Sequence, residues 1–470
     1  MPSANTCSAA LVACALILPV SARGQTQTTT ADSTHTAPAS HVQGDSTHKK
    51  EKPAPFAFAD FTWVNGNSRE PSSPLDTKYF TPEIRVDVND VIDFNRPKDH
   101  TLDGAAELGR TSEVQLQQLG VGGDLHYEHV RARLMTQFGM YSTLTPRNDA
   151  SPSRGQWDLT TAYRYLSEAY GGYHWNTWNG INLDAGIFMS YVGLFSYYNA
   201  DNWAYQPSYV SANTPWFFNG LRLQTFPSQK LKVELWFING WQSYGMFNGQ
   251  PGLGTQILWR PTGAIEFLTN DYYGYDTFNA PTRMRIHSDN SFLLKYLDQP
   301  THFLDKAALS VTLDAGCESG GGVRCTSSVT GKPQQNFLGF MVYDRAWFSQ
   351  NRFGVTIGGG AISNPGRYLV LLPPINGATA SSGTSYFTLN PGDQFHAWDG
   401  SLTFDYMPDD YVTFRTELDH REANVPYFVG HGGITPPSGN TGAPGSVVPG
   451  WGPDLRKTET RINLAILVKI

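Results

Sequence analysis

Charge is scarce in this chain. Of its 470 residues, 34 are Lys or Arg and 41 are Asp or Glu, 16% in all, where an average soluble domain carries about 25%. Long apolar runs are missing too. Beyond the first 22 residues no stretch supplies the roughly 20 consecutive apolar residues that a membrane helix needs. A bundle of transmembrane helices is therefore excluded, as the mean hydropathy of -0.35 also indicates. Basic excess is absent: the net charge is -7, so no cationic stripe points to nucleic acid. Linear catalytic signatures are lacking as well. Gly316-Cys317-Glu318-Ser319-Gly320 has the wrong spacing for a nucleophile elbow, and there is neither a His-Glu-x-x-His pair nor a phosphate loop. What the chain has instead is 46 Gly and a heavy aromatic load of 12 Trp, 23 Tyr and 26 Phe. It holds too little charge for a typical soluble protein and too little apolar sequence for a helical membrane protein.

The amino terminus reads as an address followed by a tether. Residues 8–22 form an apolar stretch ending in small residues, Val20-Ser21-Ala22, which is the pattern of a secretory signal peptide. A signal peptide over 1–24 is expected, although residues 1–7 contain no Lys or Arg. Leu11-Val12-Ala13-Cys14 has the form of a lipoprotein box but sits too early in the apolar stretch. Residues 25–79 are read as a disordered Thr/Ser/His/Pro-rich linker, since almost no large apolar residue precedes Phe56. His35, His41 and His48 fall in it and are read as solvated rather than metal-binding. After export only Cys317 and Cys325 remain, eight positions apart, and a loop disulfide is expected in preference to a metal site.

From residue 80 onward hydrophobicity alternates with period two, the signature of strands with two unlike faces. Ile462, Leu464, Ile466 and Val468 oppose Arg461, Asn463 and Lys469. Val412, Phe414 and Leu418 oppose Arg415, Glu417, Asp419 and Arg421, and Leu231, Val233, Leu235 and Phe237 oppose Lys232 and Glu234. About sixteen such segments can be placed, at 82–95, 113–127, 130–142, 164–175, 180–194, 215–226, 230–242, 253–260, 263–273, 283–297, 304–316, 334–348, 352–364, 394–407, 410–423 and 457–470. A soluble sandwich would alternate as well, so the connections decide between the two. They alternate short and long: Glu128-His129, Pro227-Ser228-Gln229, Pro261-Thr262 and Pro408-Asp409 against 96–112, 143–163, 195–214, 317–333, 365–393 and 424–456. Short turns at one end and long loops at the other define an antiparallel transmembrane β-barrel over 80–470, with periplasmic turns and extracellular loops. Only a closed sheet leaves no unpaired backbone group in hydrocarbon. Trp175, Trp178, Trp236, Trp241, Trp259, Trp347 and Trp398, all near strand ends, are expected in interfacial girdles.

Several strings resemble the β-barrel porin-2 (OmpL-like) family of Gram-negative bacteria. They are Asp93-Phe94-Asn95-Arg96-Pro97, Ser167-Glu168-Ala169-Tyr170, Gly180-Ile181-Asn182-Leu183-Asp184-Ala185-Gly186, Pro215-Trp216-Phe217-Phe218-Asn219-Gly220-Leu221-Arg222 and Asn239-Gly240-Trp241. The resemblance is best over residues 80–245. It implies an outer-membrane porin of broadly undefined substrate. The chain departs from a common outer-membrane pattern in ending on Ile470 rather than an aromatic residue.

A pore needs a polar lumen and a constriction rather than a catalytic set. Period two turns Arg131, Arg133, Arg222, Lys232, Arg415 and Arg421 inward, together with Asp184, Glu234, Asp399, Asp405, Glu417 and Asp419. These twelve are the pore-lining candidates. They either set a transverse field or form cross-strand ion pairs, and one sequence leaves both open. Asp87, Asn89 and Asp93 are read as lumen-facing rather than as calcium ligands. The faces of the ninth, twelfth and thirteenth strands are ambiguous. Segments 195–214 and 424–456 are expected as external loops, with a fold into the lumen as the alternative. The function expected is passive diffusion of small hydrophilic solutes, with no cofactor, no metal and no chemical step. A surface adhesin or receptor working through the long loops is the alternative, ahead of an outer-membrane enzyme. The expected partners are outer-membrane lipid and lipopolysaccharide, the barrel assembly machinery and permeating solutes, with a homo-oligomer left open.

Overall fold

The computed structural model describes residues 54–102, 108–149, 151, 155–246, 248–277, 280–326, 334–365, 394–434, 452 and 454–470. The signal segment, the tether through residue 53 with its three histidines, and most of 365–393 and 435–453 lie outside the described residues.

Sixteen antiparallel strands close into one barrel, each bonded to its neighbours in chain order and the last to the first. They are β1 (Phe80–Asp93), β2 (Val114–Tyr127), β3 (Val130–Thr136), β4 (Leu166–Trp175), β5 (Ile181–Met189), β6 (Phe217–Ser228), β7 (Leu231–Ile238) and β8 (Gly252–Thr262). Then follow β9 (Ile265–Gly274), β10 (Met284–Asp298), β11 (Leu304–Ser319), β12 (Asn336–Phe348), β13 (Phe353–Asn364), β14 (Phe395–Tyr406), β15 (Val412–Ala423) and β16 (Thr458–Lys469). The seam is made by β1 against β16, with Arg85 opposite Lys469 and Asp93 opposite Arg461. Turns of two to five residues join the strands at the end where both termini of the barrel lie, and the long connections gather at the other end.

Period two sorts the side chains as the lipid phase and the interior require. Leu116, Val121, Leu183, Leu235, Leu402, Leu464 and Ile466 are exposed on the outside. Inward neighbours on the same strands, such as Asp184, Glu234, Thr403 and Asn463, are almost completely covered. Trp175, Trp178, Trp259 and Trp398 stand on the outer surface as expected of a girdle, but Trp236 and Trp347 do not. Trp236 shares its face with Lys232 and Glu234, and Trp347 with Tyr343 and Arg345, so their parity carries them inside. Trp241 is also interior, packed edge-on against Tyr272.

Three strands, β3, β5 and β7, end well before the sequence pattern suggested, β7 at Ile238. β3 stops at Thr136 and is followed by a helical turn at Tyr141–Leu144. β5 stops at Met189, because the chain from 190 to 216 leaves the wall and enters the barrel, where Tyr198, Trp203, Tyr205 and Tyr209 are buried. The expected external loop at 195–214 is therefore an inward one. Within described residues 424–434, Tyr427 and Phe428 are buried; Phe428 bridges to Arg456, and its ring lies 6.5 Å from that of Tyr209 on the inward loop. A second segment corrects the reading of 25–79 as disordered throughout: Phe56, Phe61, Trp63 and Val64 are buried in the largest apolar cluster among the described residues. Aromatic side chains in that stretch find in the barrel the core that the segment itself cannot provide. At the opposite end, Cys317 and Cys325 are bonded, with their Cα atoms 5.2 Å apart.

Candidate functional site: the lumen and its crosspiece

The inner wall is a mosaic of ion pairs. Arg133 on β3 meets Glu83 on β1 at 2.9 Å, Asp124 on β2 at 2.6 Å and Glu168 on β4 at 2.9 Å. Asp184 on β5 lies between Arg131 at 3.3 Å and Arg222 at 2.7 Å. Lys232 pairs with Glu234 along β7 at 3.1 Å. On the other side Asp405 joins Arg345 at 2.8 Å and Arg415 at 2.6 Å, while Asp419 sits between Arg421 at 3.3 Å and Arg461 at 2.9 Å. All twelve charged residues singled out from the sequence face inward and are buried. Ten of them pair on the same strand or within two strands; Asp399 and Glu417 bind the inward loop instead. Paired charges on one wall keep it polar without demanding an ion in the lumen, since each carboxylate in these pairs is already compensated by a cation held at contact distance.

The inward loop crosses the barrel from β5 and β6 to the far wall and is held there by its backbone. Asn199 donates to Asp87 on β1 at 2.9 Å, and Arg415 donates to the carbonyl of Asn202 at 2.7 Å. The carbonyl of Trp203 accepts from Arg345 at 3.1 Å and from Thr356 at 2.9 Å. Glu417 takes the amides of Tyr205 and Gln206, and Asp399 takes the hydroxyl of Ser208 and the amide of Tyr209, at 2.8 and 2.9 Å. Ser208 also donates its amide to the Tyr343 hydroxyl at 2.9 Å. Irregular backbone at this depth is tolerated because protein groups replace the missing ladder partners. Tyr343, Arg345 and Thr356 were not selected from the sequence. On β12 both faces are apolar or aromatic, with Phe340 and Val342 outward and Met341 and Tyr343 inward, so alternation gives no signal there.

The amino-terminal segment, here called the strap, lies across the mouth below the loop. The amide of Phe56 donates to Gln229 in the β6–β7 turn at 2.8 Å. The Trp63 indole donates to Gly263 in the β8–β9 turn at 3.1 Å. Arg69 donates to Asp409 and Val412, at and beside the β14–β15 turn, at 2.6 and 2.7 Å. The β6–β7 and β14–β15 turns are eight strands apart on a ring of sixteen, so the strap spans a diameter. Strap and loop are fastened together by Trp203, whose amide donates to Asn65 and whose indole donates to the Trp63 carbonyl, at 2.7 and 3.1 Å. Gly66 is required where they touch. Its φ is +83°, and a Cβ there would stand 2.4 Å from the carbonyl oxygen of Leu194. Between strap, loop and the wall of β6 to β9 remains a cavity of about 130 Å³, lined by Asn65, Tyr191, Gln224, Glu234 and Leu258 among others.

A closed antiparallel barrel with an apolar outer belt, a polar inner wall and a loop folded into its lumen is the architecture of an outer-membrane porin. The family described as "Putative beta-barrel porin-2, OmpL-like" matches residues 85–443, and the chain belongs to it. It is thus an outer-membrane β-barrel porin, in contact with outer-membrane lipid and passing small solutes. No curated protein matches the chain in sequence. Among solved structures it is similar to the outer-membrane channel DcaP of Acinetobacter baumannii, at 11% identity over 83% of this chain and 96% of that one, with a TM-score of 0.46. It is also similar to OprB of Pseudomonas putida, at 11% identity over 83% and 94%, TM-score 0.47. A third is an anion-selective porin from Comamonas acidovorans, at 9% identity over 83% and 99%, TM-score 0.46.

Proposed function

We infer that this porin is a narrow, weakly charge-selective channel for small uncharged polar solutes. The observation that carries this reading is the double crosspiece. Strap and inward loop both span the lumen, and a cavity of about 130 Å³ lies between them and the wall of β6 to β9. Arg222, Lys232 and Glu234 line this cavity, and the six basic and six acidic inward residues balance in sign, ten of them in ion pairs and two bound to the inward loop, which gives neither ion sign a strong advantage. Passage is passive, and no step of it is chemical. Lipopolysaccharide at the outer rim, insertion by the barrel assembly machinery and a homo-oligomeric state belong to the same reading.

The test is purified protein in planar bilayers and in solute-loaded liposomes. Small single-channel steps, similar permeability for potassium and chloride, and swelling that is rapid for glycerol but slow for sucrose are expected. Absence of current in all conditions, or swelling indifferent to solute size, would overturn the reading.

A further inference from the structure

The strap is built differently from everything around it. It is seated through side chains and turn carbonyls and, among the described residues, forms no ladder with the sheet. The barrel closes without it, because the seam between β1 and β16 begins only at Arg85. Its seat on the turns also stays satisfied without it. The Arg260 guanidinium lies over the rings of Phe56 and Phe61, 4.9 and 4.3 Å from their centroids, yet Arg260 is already paired with Glu266 at 2.6 Å. The acceptors used by the strap at Gln229, Gly263 and Asp409 belong to periplasmic turns, where water can replace it.

Between the strap and β1 the chain passes through Pro71-Ser72-Ser73-Pro74 and a run from 74 to 80 that is exposed throughout. A seat without ladder bonds, joined to the barrel by an exposed connector, has the parts of a hinged closure. Burial of Phe56, Phe61, Trp63 and Val64 holds the strap in place, and the conformational freedom of the whole segment opposes it.

We propose that residues 54–70 are a displaceable gate on the periplasmic mouth, the barrel's own amino-terminal segment being the occupant of a docking site built from the β6–β7, β8–β9 and β14–β15 turns. Docked, the strap confines passage to the cavity beside it. Displaced about the 71–79 connector, it opens the mouth across its full diameter and frees the inward loop of its contacts at Asn65 and Trp63. The proposal rests on the channel reading and adds a closed and an open state to it.

The structure offers a lock with which to test this. A Cβ built on Gly263 falls 2.7 Å from the Cβ of Ala59, so the double variant A59C/G263C places two thiols across the strap and the β8–β9 turn at a site where small shifts allow a disulfide. Oxidised, this variant is expected to hold only the low conductance level. Reduction should restore switching to a level several-fold higher, and a chain lacking residues 54–70 should stay at that high level. Wild-type protein under reductant controls for Cys317–Cys325, which lies at the opposite end. Independently of current, Val64→Cys, buried in the docked strap, should be labelled by a maleimide at a rate that the lock abolishes.

Equal conductance in locked, reduced and strap-deleted protein would overturn the gate, as would a Val64→Cys thiol that stays unlabelled. A strap-deleted barrel that passes no current would instead overturn the porin reading beneath it.

Discussion

The backbone amide of Tyr205 donates to a carboxylate oxygen of Glu417 at 2.6 Å across 212 residues of sequence. The other oxygen takes the amide of Gln206 at 2.8 Å, and Thr403 and Asn463 complete the set at 2.7 and 3.1 Å. One buried carboxylate thereby fixes the tip of the inward loop to β15. Hydrogen bonds to a charged group contribute about 1.5–3 kcal/mol each.

Glu417→Gln removes that charge and turns an NH2 donor toward at least one of the donors it must receive. The loop should lose on the order of 2–3 kcal/mol of anchoring while the sheet is untouched. The expected result is proteolysis within 195–214 and a larger, noisier current, with the heat-dependent gel shift of the barrel preserved. Wild-type protease resistance in this variant would show that the loop is held elsewhere.

Arg133 is a corresponding centre four strands round the barrel, touching Glu83, Asp124 and Glu168 from one guanidinium. Arg133→Met retains much of the volume but leaves three carboxylates facing one another. Removing one partner of a buried pair typically costs about 3–5 kcal/mol. A clear drop in the temperature at which the folded gel band disappears is expected, partly recovered in a double variant with Glu168→Gln. Recovery is the informative half, since a merely cavity-forming effect would not show it.

How much of this was legible in the sequence depends on whether the two faces of a strand differ. On β7, Lys232 and Glu234 against Leu231, Val233, Leu235 and Phe237 declare inside and outside at once, and the same parity would have placed Trp236 inside had it been applied to the aromatics. On β12 apolar side chains occupy both faces, and Tyr343 and Arg345 were missed. Length alone makes the inward loop look external; its composition is what carries it inside. Residues 190–216 contain Tyr191, Phe195, Tyr197, Tyr198, Trp203, Tyr205, Tyr209 and Trp216 but only one charged residue, Asp201. A segment so rich in rings and so poor in charge does not stand in water. The strap carried the same signal in Phe56, Phe58, Phe61 and Trp63. That these segments cross a diameter could not be read, because it depends on which turns they meet around the ring.

Gly66 tests the contact between strap and loop. Gly66→Ala adds a methyl group 2.4 Å from the Leu194 carbonyl oxygen at a φ of +83°, and backbone strain of this kind costs about 1–3 kcal/mol. The strap should undock more often while the barrel, which does not include Gly66, keeps its thermal stability. The check is faster maleimide labelling of Val64→Cys in the Gly66→Ala background. Unchanged labelling would mean that strap and loop move as one body.

Glu70, at the end of the strap, makes docking sensitive to pH. Burial pushes its carboxyl up to about 7 from an ordinary 4.5, against the pull of nearby Lys469 and Arg85 and with the push of Asp201 and Glu83. The docked state therefore holds the proton more tightly than the released state, so docking loses stability as the pH rises between these two values. Below about 4.5 both states are protonated and docking is at its strongest; above about 7 both are ionised and the loss, at most about 3 kcal/mol, is complete. Labelling of Val64→Cys, corrected for thiol reactivity with a free-thiol standard, should accordingly be faster at about pH 8 than at about pH 5.5. Glu70→Gln, which is neutral throughout, should flatten this dependence and keep the strap docked at the higher pH. A pH dependence that survives Glu70→Gln would assign the titration to another group at the seat.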